Sequence, residues 1–254
     1  MLTVANLSKA FGGVLAVQDV SFHIPAGCVY SVIGPNGAGK TTLFNLISGL
    51  YTPTSGSIRF EDREIAGMAP ERLARRGMSR TFQNLQICRN LSAIENVMVG
   101  AHLTLNANMF AGMFRWPGLG RADRACRARA ADLMERVGCG AFVRADAAAM
   151  PYGALKRLEI ARALASDPKI LFLDEPAAGL NHTETHEIET LVADLARSGL
   201  TVVVVEHDMK LVMNVSGRIL VLNYGRKLAE GTPDEIRTNP DVIAAYLGGD
   251  DEEE

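Results

Sequence analysis

Three short runs rich in apolar residues mark the interior of the chain, at residues 29–33, 170–173 and 201–205. Continuous runs of this kind predict strands that are buried on both faces of a sheet. Helical spacing of apolar positions follows the first run at residues 43–50 and separates the other two at residues 183–197. A strand, a helix and a second strand at this spacing predict a parallel sheet, and therefore an α/β fold.

The first part of the chain has a different pattern. Residues 2–27 alternate apolar and polar side chains around Gly12 and Gly13, which predicts antiparallel strands joined by a glycine turn. A further strand is predicted at residues 56–62, and a short basic helix at residues 69–76.

The remaining pattern predicts several more elements. They are a strand at residues 78–82 that delivers Gln83, helices at residues 121–137 and 155–165, a hairpin around Tyr224 and Gly225, and a final helix at residues 233–247. Residues 249–254 are too acidic to pack and are expected to be a disordered tail.

Composition limits the class of protein. The chain has 254 residues, of which 48% are hydrophobic and 22% charged, enough for a substantial core. Its net charge is −3 and its pI is about 6.0, so it offers no general attraction to nucleic acid or to an anionic membrane surface. The N-terminus runs directly into a strand pattern, without the features of a secretory signal. We expect a cytoplasmic protein.

One uncharged segment, residues 96–114, approaches the length of a membrane-spanning helix. Polar residues and two glycines interrupt it, so we expect an apolar surface segment instead. Its large side chains either dock a partner or pack on their own subdomain. They are Met109, Phe110, Met113, Phe114 and Trp116.

Two sets of residues resemble metal-binding sites, but we do not expect either of them to bind a metal. The four cysteines, Cys28, Cys88, Cys126 and Cys139, are too widely spaced and are expected to be free thiols. His182 and His186 have helical spacing, but no glutamate follows the first histidine directly and no third ligand follows. We interpret them as an exposed helix start.

The segment GPNGAGKTT fits the phosphate-loop pattern G-x-x-x-x-G-K-[ST]. Small residues let successive backbone N–H groups surround phosphate oxygens. The lysine adds charge for the β and γ phosphates, and the first threonine hydroxyl reaches Mg²⁺. A buried strand before the loop and a helix after it place a helix N-terminus at the phosphates. The segment consists of Gly34, Pro35, Asn36, Gly37, Ala38, Gly39, Lys40, Thr41 and Thr42.

Two carboxylates, Asp174 and Glu175, follow the buried run at residues 170–173. They lie at the carboxyl end of a strand, where open α/β sheets bind ligands. Asp174 is suited to hold the Mg²⁺ shell, and Glu175 to polarise a water for attack on the γ phosphate. His207 follows the next buried strand, where it can hydrogen-bond a γ phosphate.

Taken together, these segments resemble the ATPases of ABC transporters. GPNGAGKT, Gln83, PYGALKRLEIARAL, ILFLDEP, AAGLN and Glu206-His207 are similar to the Walker A, Q-loop, signature, Walker B, D-loop and switch-histidine motifs, in family order. FGGVLAV, RTFQNLQI, EPAAGLN, EHDMKLVM and AYLGG resemble the LivG-type subunit of branched-chain amino acid importers. The similar ATPases of urea importers are the nearest alternative.

The resemblance implies a RecA-like α/β core, an antiparallel β subdomain and a helical subdomain at about residues 84–165, all within one ABC ATPase domain at residues 1–248. It implies two ATP sites between two such subunits, each joining one P-loop to the other signature segment. In this chain Phe11 would stack on adenine, Gln83 contact Mg²⁺ or water, Glu175 act as general base and His207 sense the γ phosphate. The residues that would serve the partner's nucleotide are Pro151, Tyr152, Gly153 and Ala154.

The chain departs from the common signature. Leu-Ser-Gly-Gly-Gln is replaced by Met150-Pro151-Tyr152-Gly153-Ala154, which lacks the serine hydroxyl, and the D-loop aspartate is Asn181. Pro and Tyr in the signature and Asn in the D-loop are features of LivG-type chains.

The expected function is ATP hydrolysis that energises a membrane importer for branched-chain or related small amino acids. ATP and Mg²⁺ are the expected cofactors. Expected partners are an identical or paralogous second ATPase, two transmembrane permease subunits and, indirectly, a periplasmic binding protein, with no nucleic acid. The chain would lie peripherally on the cytoplasmic face of the inner membrane. The alternatives are a urea or short-amide importer, a non-transport ABC ATPase acting on nucleic acid or ribosomes, and a regulatory module without turnover.

Overall fold

Two sheets and a group of helices organise the chain. A computed structural model describes residues 1–81, 85–103 and 119–247. The described residues form two compact units, one within residues 1–73 and the chain from residue 172, and one within residues 74–171. Gln83, the apolar cluster at residues 109–116 and the acidic tail lie outside the described residues, so the expectations about them stay predictions.

The described strands and helices follow in chain order. They are β1 (Leu2–Phe11), β2 (Val14–Ile24), β3 (Val29–Ile33), α1 (Lys40–Ile47), β4 (Ser55–Phe60), β5 (Arg63–Glu64), α2 (Pro70–Ala74), β6 (Met78–Arg80), α3 (Ala93–Gly100), α4 (Leu119–Arg136), α5 (Tyr152–Leu164), β7 (Ile170–Asp174), α6 (His182–Arg197), β8 (Thr201–Val205), α7 (Met209–Val215), β9 (Arg218–Asn223), β10 (Arg226–Gly231), α8 (Pro233–Arg237) and α9 (Pro240–Leu247).

The first unit contains an antiparallel sheet of order β2-β1-β4-β5. Strands β1 and β2 form a hairpin whose last pair is Phe11 and Val14, so the predicted glycine turn is confirmed. Strand β4 pairs with the other edge of β1. This sheet carries Phe11 at its tip.

The first unit also contains a largely parallel sheet. Strand β3 pairs in parallel with β8 on one side and with β9 on the other, and β10 closes that side antiparallel to β9. Strand β7 lies next to β8. Every residue of β3, β7 and β8 is buried, which explains why these strands read as continuous apolar runs. Helices α7, α8 and α9 contribute to a core cluster with β3 and β9, formed by Ile33, Val212, Ile219, Val221, Ile236 and Val242.

Helices α3, α4 and α5 pack together in the second unit. Gly100 at the end of α3 lies against the backbone of α5, where a Cβ would meet the Arg162 carbonyl oxygen. The short strand β6 lies beside the beginning of β7, and Gly77 just before β6 accepts hydrogen bonds from the N–H groups of Lys169 and Ile170 (2.8 and 3.1 Å).

One extended segment of the second unit is held by side chains. The Gln86 N–H donates to Glu159 Oε1 (3.3 Å), and its carbonyl accepts from Arg162 Nη1. Two residues later, the Cys88 N–H donates to Asn96 Oδ1 (2.8 Å), and its carbonyl accepts from Asn96 Nδ2 (3.0 Å). In alternate residues of this segment, both the N–H and the carbonyl group therefore bond to side chains, in the way that the backbone groups of a strand bond to a neighbouring strand.

Two predicted helices begin three residues earlier than expected. Helix α1 begins at Lys40, where the Gly39 carbonyl accepts the Leu43 N–H (2.9 Å). Helix α5 begins at Tyr152, with Pro151 as N-cap and its carbonyl accepting from Leu155 (3.0 Å). Apolar periodicity misses such first turns because their side chains are small or polar.

The single final helix predicted at residues 233–247 is wrong. Helix α8 ends at Arg237, and Asn239 begins a new helix by accepting from the N–H groups of Asp241 (2.9 Å) and Val242 (3.3 Å). Pro240 disfavours a helical conformation in the residue before it and lacks an N–H. Among the described helices, none is long and apolar enough to cross a bilayer.

Candidate nucleotide-binding site

The phosphate loop leaves the end of β3 through three glycines with positive φ. Gly34 has φ +153°, and a Cβ there would overlap the Leu222 carbonyl oxygen of β9. Gly39 has φ +96°, and its Cβ would lie 2.5 Å from the Ala16 carbonyl oxygen of β2. Gly37 also has positive φ, +75°, but no atom lies within 4 Å of its Cβ position. Gly34 and Gly39 are therefore required because the backbone of a neighbouring strand leaves no room for a Cβ.

The β9–β10 hairpin fixes the other side of the loop. The Gly225 N–H donates to the Ala38 carbonyl (3.0 Å), and the Gly225 carbonyl accepts from Gln18 of β2 (2.7 Å). Tyr224, beside it at the hairpin tip, is 83% exposed. The loop is thus held by backbone groups of β2, β9 and the hairpin turn.

Lys40 lies across the loop. Its ammonium donates to the carbonyl oxygens of Gly34 (2.6 Å) and Pro35 (2.9 Å). Burial lowers the pKa of Lys40, and the negative charge of Glu175 opposes that shift. The next residue, Thr41, is exposed at the start of α1. The ammonium group of Lys40 and the hydroxyl group of Thr41, which the sequence predicts to contact phosphate and Mg²⁺, therefore both belong to the first turn of α1.

The acidic pair ends β7 as expected. Asp174 is buried, whereas Glu175 turns out of the strand with φ +48° and its N–H donates to the Val205 carbonyl of β8 (2.9 Å). His207 follows β8, and its Nδ1 lies 4.0 Å from Glu175 Oε1. That separation is too long for a hydrogen bond. The fold nevertheless brings the proposed base and the proposed phosphate sensor to one edge of the sheet.

Glu206 joins these residues, and sequence reasoning assigned it no role of its own. Its carboxylate is 1% exposed and accepts from the N–H groups of Ala177 (2.9 Å), His207 (3.1 Å) and Asp208 (3.5 Å). Burial raises the pKa of Glu206, and these N–H donors oppose the shift. A carboxylate directly after four buried valines is the signal that could have identified it.

Phe11 is held from two sides. It is 44% exposed, with the Tyr51 ring edge-on at 5.2 Å and Lys9 Nζ 4.9 Å above its ring. Lys9 itself donates to the Thr52 carbonyl (2.8 Å). The sequence did not indicate Tyr51 as a neighbour of Phe11.

The signature segment lies in the second unit. Pro151 and Tyr152 are exposed, whereas Gly153 and Ala154 are buried in the first turn of α5. The Ala154 carbonyl accepts from the Cys139 thiol (3.3 Å). Any contact of this segment with a ligand is therefore restricted to its first two side chains and the N–H groups at the helix start.

The cysteines and the two histidines of α6 lie as follows. All four cysteines are free. His182 and His186 are both exposed on α6. Across residues 1–81, 85–103 and 119–247, no group of three or more potential ligands is arranged to hold a metal ion.

Comparison with known proteins adds independent information. A family model described as ABC transporter matches residues 17–178, and one described as branched-chain amino acid ATP-binding cassette transporter matches residues 226–252. The high-affinity branched-chain amino acid transport ATP-binding protein BraF of Pseudomonas aeruginosa is 47% identical over 98% of both chains. The corresponding LivG protein of Escherichia coli K12 is 46% identical over the same shares.

Solved structures agree. The ADP conformation of an ATP-binding cassette of an ABC transporter is 29% identical, covers 98% of both chains and has a TM-score of 0.84. A dimeric bacterial ABC transporter cassette is 26% identical, covers 92% of this chain and 99% of that one and has a TM-score of 0.78.

A phosphate loop with an acidic pair and a histidine at the ends of neighbouring strands defines a P-loop nucleoside triphosphatase. The matched family model covers more than half of the chain. The chain belongs to the ABC transporter family, as an ATP-hydrolysing subunit of the LivG and BraF type. The predicted ABC ATPase fold is confirmed.

Proposed function

We propose that this chain energises the import of branched-chain amino acids across the inner membrane, from its cytoplasmic face. The observation that carries the proposal is the 46–47% identity to transport proteins of that name over 98% of the chain. The separate match of residues 226–252 to a branched-chain amino acid transporter model supports the same substrate class.

ATP would bind with its phosphates in the loop of residues 34–42 and its adenine on Phe11. Mg²⁺ would be held by Thr41 and Asp174, with Gln83 as a third ligand. Hydroxyl, carboxylate and amide oxygens are the ligand types that Mg²⁺ prefers, so these residues fit the ion. When bound, the ion neutralises charge on the phosphates.

Glu175 would act as general base. Its carboxylate follows Asp174 at the strand end, and its side chain is 23% exposed, so a water can reach it. It would accept a proton as that water attacks the γ phosphate. Lys40 would bind the β and γ phosphates, and His207, whose Nδ1 lies 4.0 Å from Glu175 Oε1, would hydrogen-bond the γ phosphate.

Two ATPase subunits would pair around ATP, each presenting its signature segment to the other's nucleotide. In this chain that segment is the start of α5, where the N–H groups of the first turn and the helix dipole would favour an anion. The second subunit is either identical or a paralogue. Two transmembrane permease subunits and a periplasmic binding protein would complete the importer, with this chain peripheral to the membrane.

An uptake assay tests the substrate. In cells that lack this chain, expression of the wild type should restore uptake of radiolabelled leucine and leave uptake of radiolabelled urea unchanged. A dependence of urea uptake on the chain, with leucine unaffected, would favour a urea or short-amide importer. No dependence of either would favour a non-transport role.

The catalytic assignment is tested by Glu175→Gln. The amide is isosteric but cannot accept the proton, so kcat for ATP hydrolysis should fall by about 10²–10⁴-fold while ATP still binds. Lys40→Ala should instead weaken ATP binding. Glu71→Gln, which makes the same chemical change at an exposed position on α2, is the control and should keep wild-type activity. Wild-type hydrolysis by Glu175→Gln would refute the assignment.

A further inference from the structure

A single buried carboxylate connects the two turns that carry Glu175 and His207. Glu206 lies at the end of β8, between the chain leaving β7 and the chain leaving β8. Its Oε1 accepts from the Ala177 N–H (2.9 Å), two residues after Glu175. Its Oε2 accepts from the N–H of His207 (3.1 Å) and, at 3.5 Å, of Asp208.

The N–H groups of Ala177, His207 and Asp208 need a side-chain acceptor because they lie beyond the ends of β7 and β8. The Glu175 N–H bonds to the carbonyl of Val205, the last residue of β8. Buried backbone N–H groups without a partner cost free energy. Two carboxylate oxygens pointing in different directions can serve both turns at once, and Glu206 supplies them from a fully buried position.

The other contacts of the two turns are local. Leu180 donates to the Ala177 carbonyl (3.1 Å), and Asp208 caps α7 by accepting from Lys210 (2.9 Å) and Leu211 (3.2 Å). Neither contact spans from one turn to the other. The nearest charged atoms of the Glu175 and His207 side chains are 4.0 Å apart, too far for a hydrogen bond. The Glu206 carboxylate, in contrast, hydrogen-bonds to N–H groups of both turns.

We infer that Glu206 is a positioning residue of ATP hydrolysis, which fixes the turn after Glu175 relative to His207. The inference rests on the roles proposed above for those two residues. A displacement of about 1 Å between catalytic groups can cost on the order of 10²-fold in rate. Glu206 would therefore affect the rate of the chemical step without touching ATP.

The test begins with Glu206→Gln. The amide has one acceptor oxygen, and its NH₂ would face an N–H donor, so one of the two turns loses its partner. We expect kcat to fall by at least about tenfold, with KM for ATP changed less than about threefold. Glu206→Asp keeps the charge but shortens the side chain by one methylene, so it should also lower kcat. This variant replaces Glu206→Gln in the test if the glutamine variant does not fold.

Glu230→Gln is the matched control. Glu230 is a mostly buried carboxylate on β10 that accepts from the Tyr30 hydroxyl (3.0 Å) and has no place in the proposed site. It should lose thermal stability without losing kcat. Equal losses of kcat in the Glu206→Gln and Glu230→Gln variants would mean that Glu206 has only a general structural role.

A double-mutant cycle separates positioning from structure. If Glu206 acts through His207, adding Glu206→Gln to His207→Ala should lower kcat by less than about threefold, because the positioned group is already absent. Full additivity of the two changes would overturn the inference. If Glu175→Gln and His207→Ala themselves leave kcat unchanged, the proposed catalytic site is wrong. If they lower it and Glu206→Gln does not, only the positioning inference is wrong.

Discussion

Gly34, Gly37 and Gly39 look equivalent in the sequence, yet the backbone around them differs. All three have positive φ, which costs a residue with a Cβ about 1–2 kcal/mol. Only at Gly34 and Gly39 would the Cβ also collide with a strand carbonyl, which adds overpacking of about 1–3 kcal/mol. The requirement for glycine is therefore structural at two of these positions, before any phosphate is considered.

This difference gives a prediction for stability. Gly39→Ala should lower the free energy of unfolding by about 1–3 kcal/mol more than Gly37→Ala does. Gly34→Ala should be at least as harmful as Gly39→Ala. Urea unfolding of the three variants without nucleotide provides the measurement. Equal losses at all three positions would show that positive φ alone sets the cost.

Single residues also show where sequence reasoning stops. The phosphate loop and the acidic pair were identifiable because their chemistry lies within one segment. The role of Glu206 was not, because its donor Ala177 is 29 residues away and comes near only when β7 and β8 are adjacent. The contact of Tyr51 with Phe11 was hidden for the same reason. The contacts of Glu206 and of Phe11 depend on residues that are distant in the sequence, so the pattern of nearby residues does not indicate them.

At the scale of elements, buried strands were predicted best. The bounds of β3 and β8 agree with residues 29–33 and 201–205, where every residue of both strands is buried. Helix ends were predicted less well. The start of α5 and the break before α9 depend on Pro151 and on Asn239-Pro240, which act through the backbone and leave the apolar period unchanged.

The start of α3 gives a prediction that depends on pH. The Glu95 carboxylate accepts from the Ser92 N–H (2.9 Å) and hydroxyl (2.6 Å), and these bonds hold the pKa of Glu95 below its ordinary value. Its stabilising contribution is therefore complete above the ordinary pKa of about 4.3 and is lost as the pH falls through the lowered folded-state value. Glu95→Ala should lower Tm at pH 7, and the deficit should shrink below about pH 4.

Thermal melts across pH 3 to 7 provide the measurement, and Glu95→Gln is the control. Glutamine can still accept from Ser92 but does not titrate, so its difference from the wild type should grow toward neutral pH. A deficit of Glu95→Ala that stays constant with pH would mean that the charged carboxylate does not stabilise the helix start.

At the scale of the whole molecule, the proposed pairing of two subunits would depend on the signature segment. Pro151 brings neither a hydroxyl nor an N–H to a partner's phosphate. The anion contact would come from the N–H groups that open α5. A serine at this position would add a hydrogen bond worth about 1.5–3 kcal/mol when its partner is charged. This segment would therefore pair subunits through backbone rather than through a side chain.

We predict that Pro151→Ser preserves or strengthens ATP-driven pairing and that Gly153→Asp abolishes it, because the carboxylate would repel the phosphate. Size-exclusion chromatography with ATP, together with the partner ATPase, measures both outcomes. Gly153 is buried in the first turn of α5, so Gly153→Ala and a thermal melt are needed to separate loss of pairing from loss of folding. Normal pairing by a folded Gly153→Asp would mean that the segment does not face nucleotide.

The hairpin turn at Tyr224 and Gly225 supports the phosphate loop through a main-chain hydrogen bond, from the Gly225 N–H to the Ala38 carbonyl. Main-chain carbonyl and N–H groups are common to almost all residue types, so the support is insensitive to the identity of the side chains that accompany it. In a saturation library, Ala16 and the exposed Tyr224 should accept many replacements, while Gly39 accepts almost none. Tolerance to replacement around this site would therefore follow the room available for a Cβ rather than distance from the phosphates, apart from Lys40 and Thr41, whose side chains would be needed for ATP.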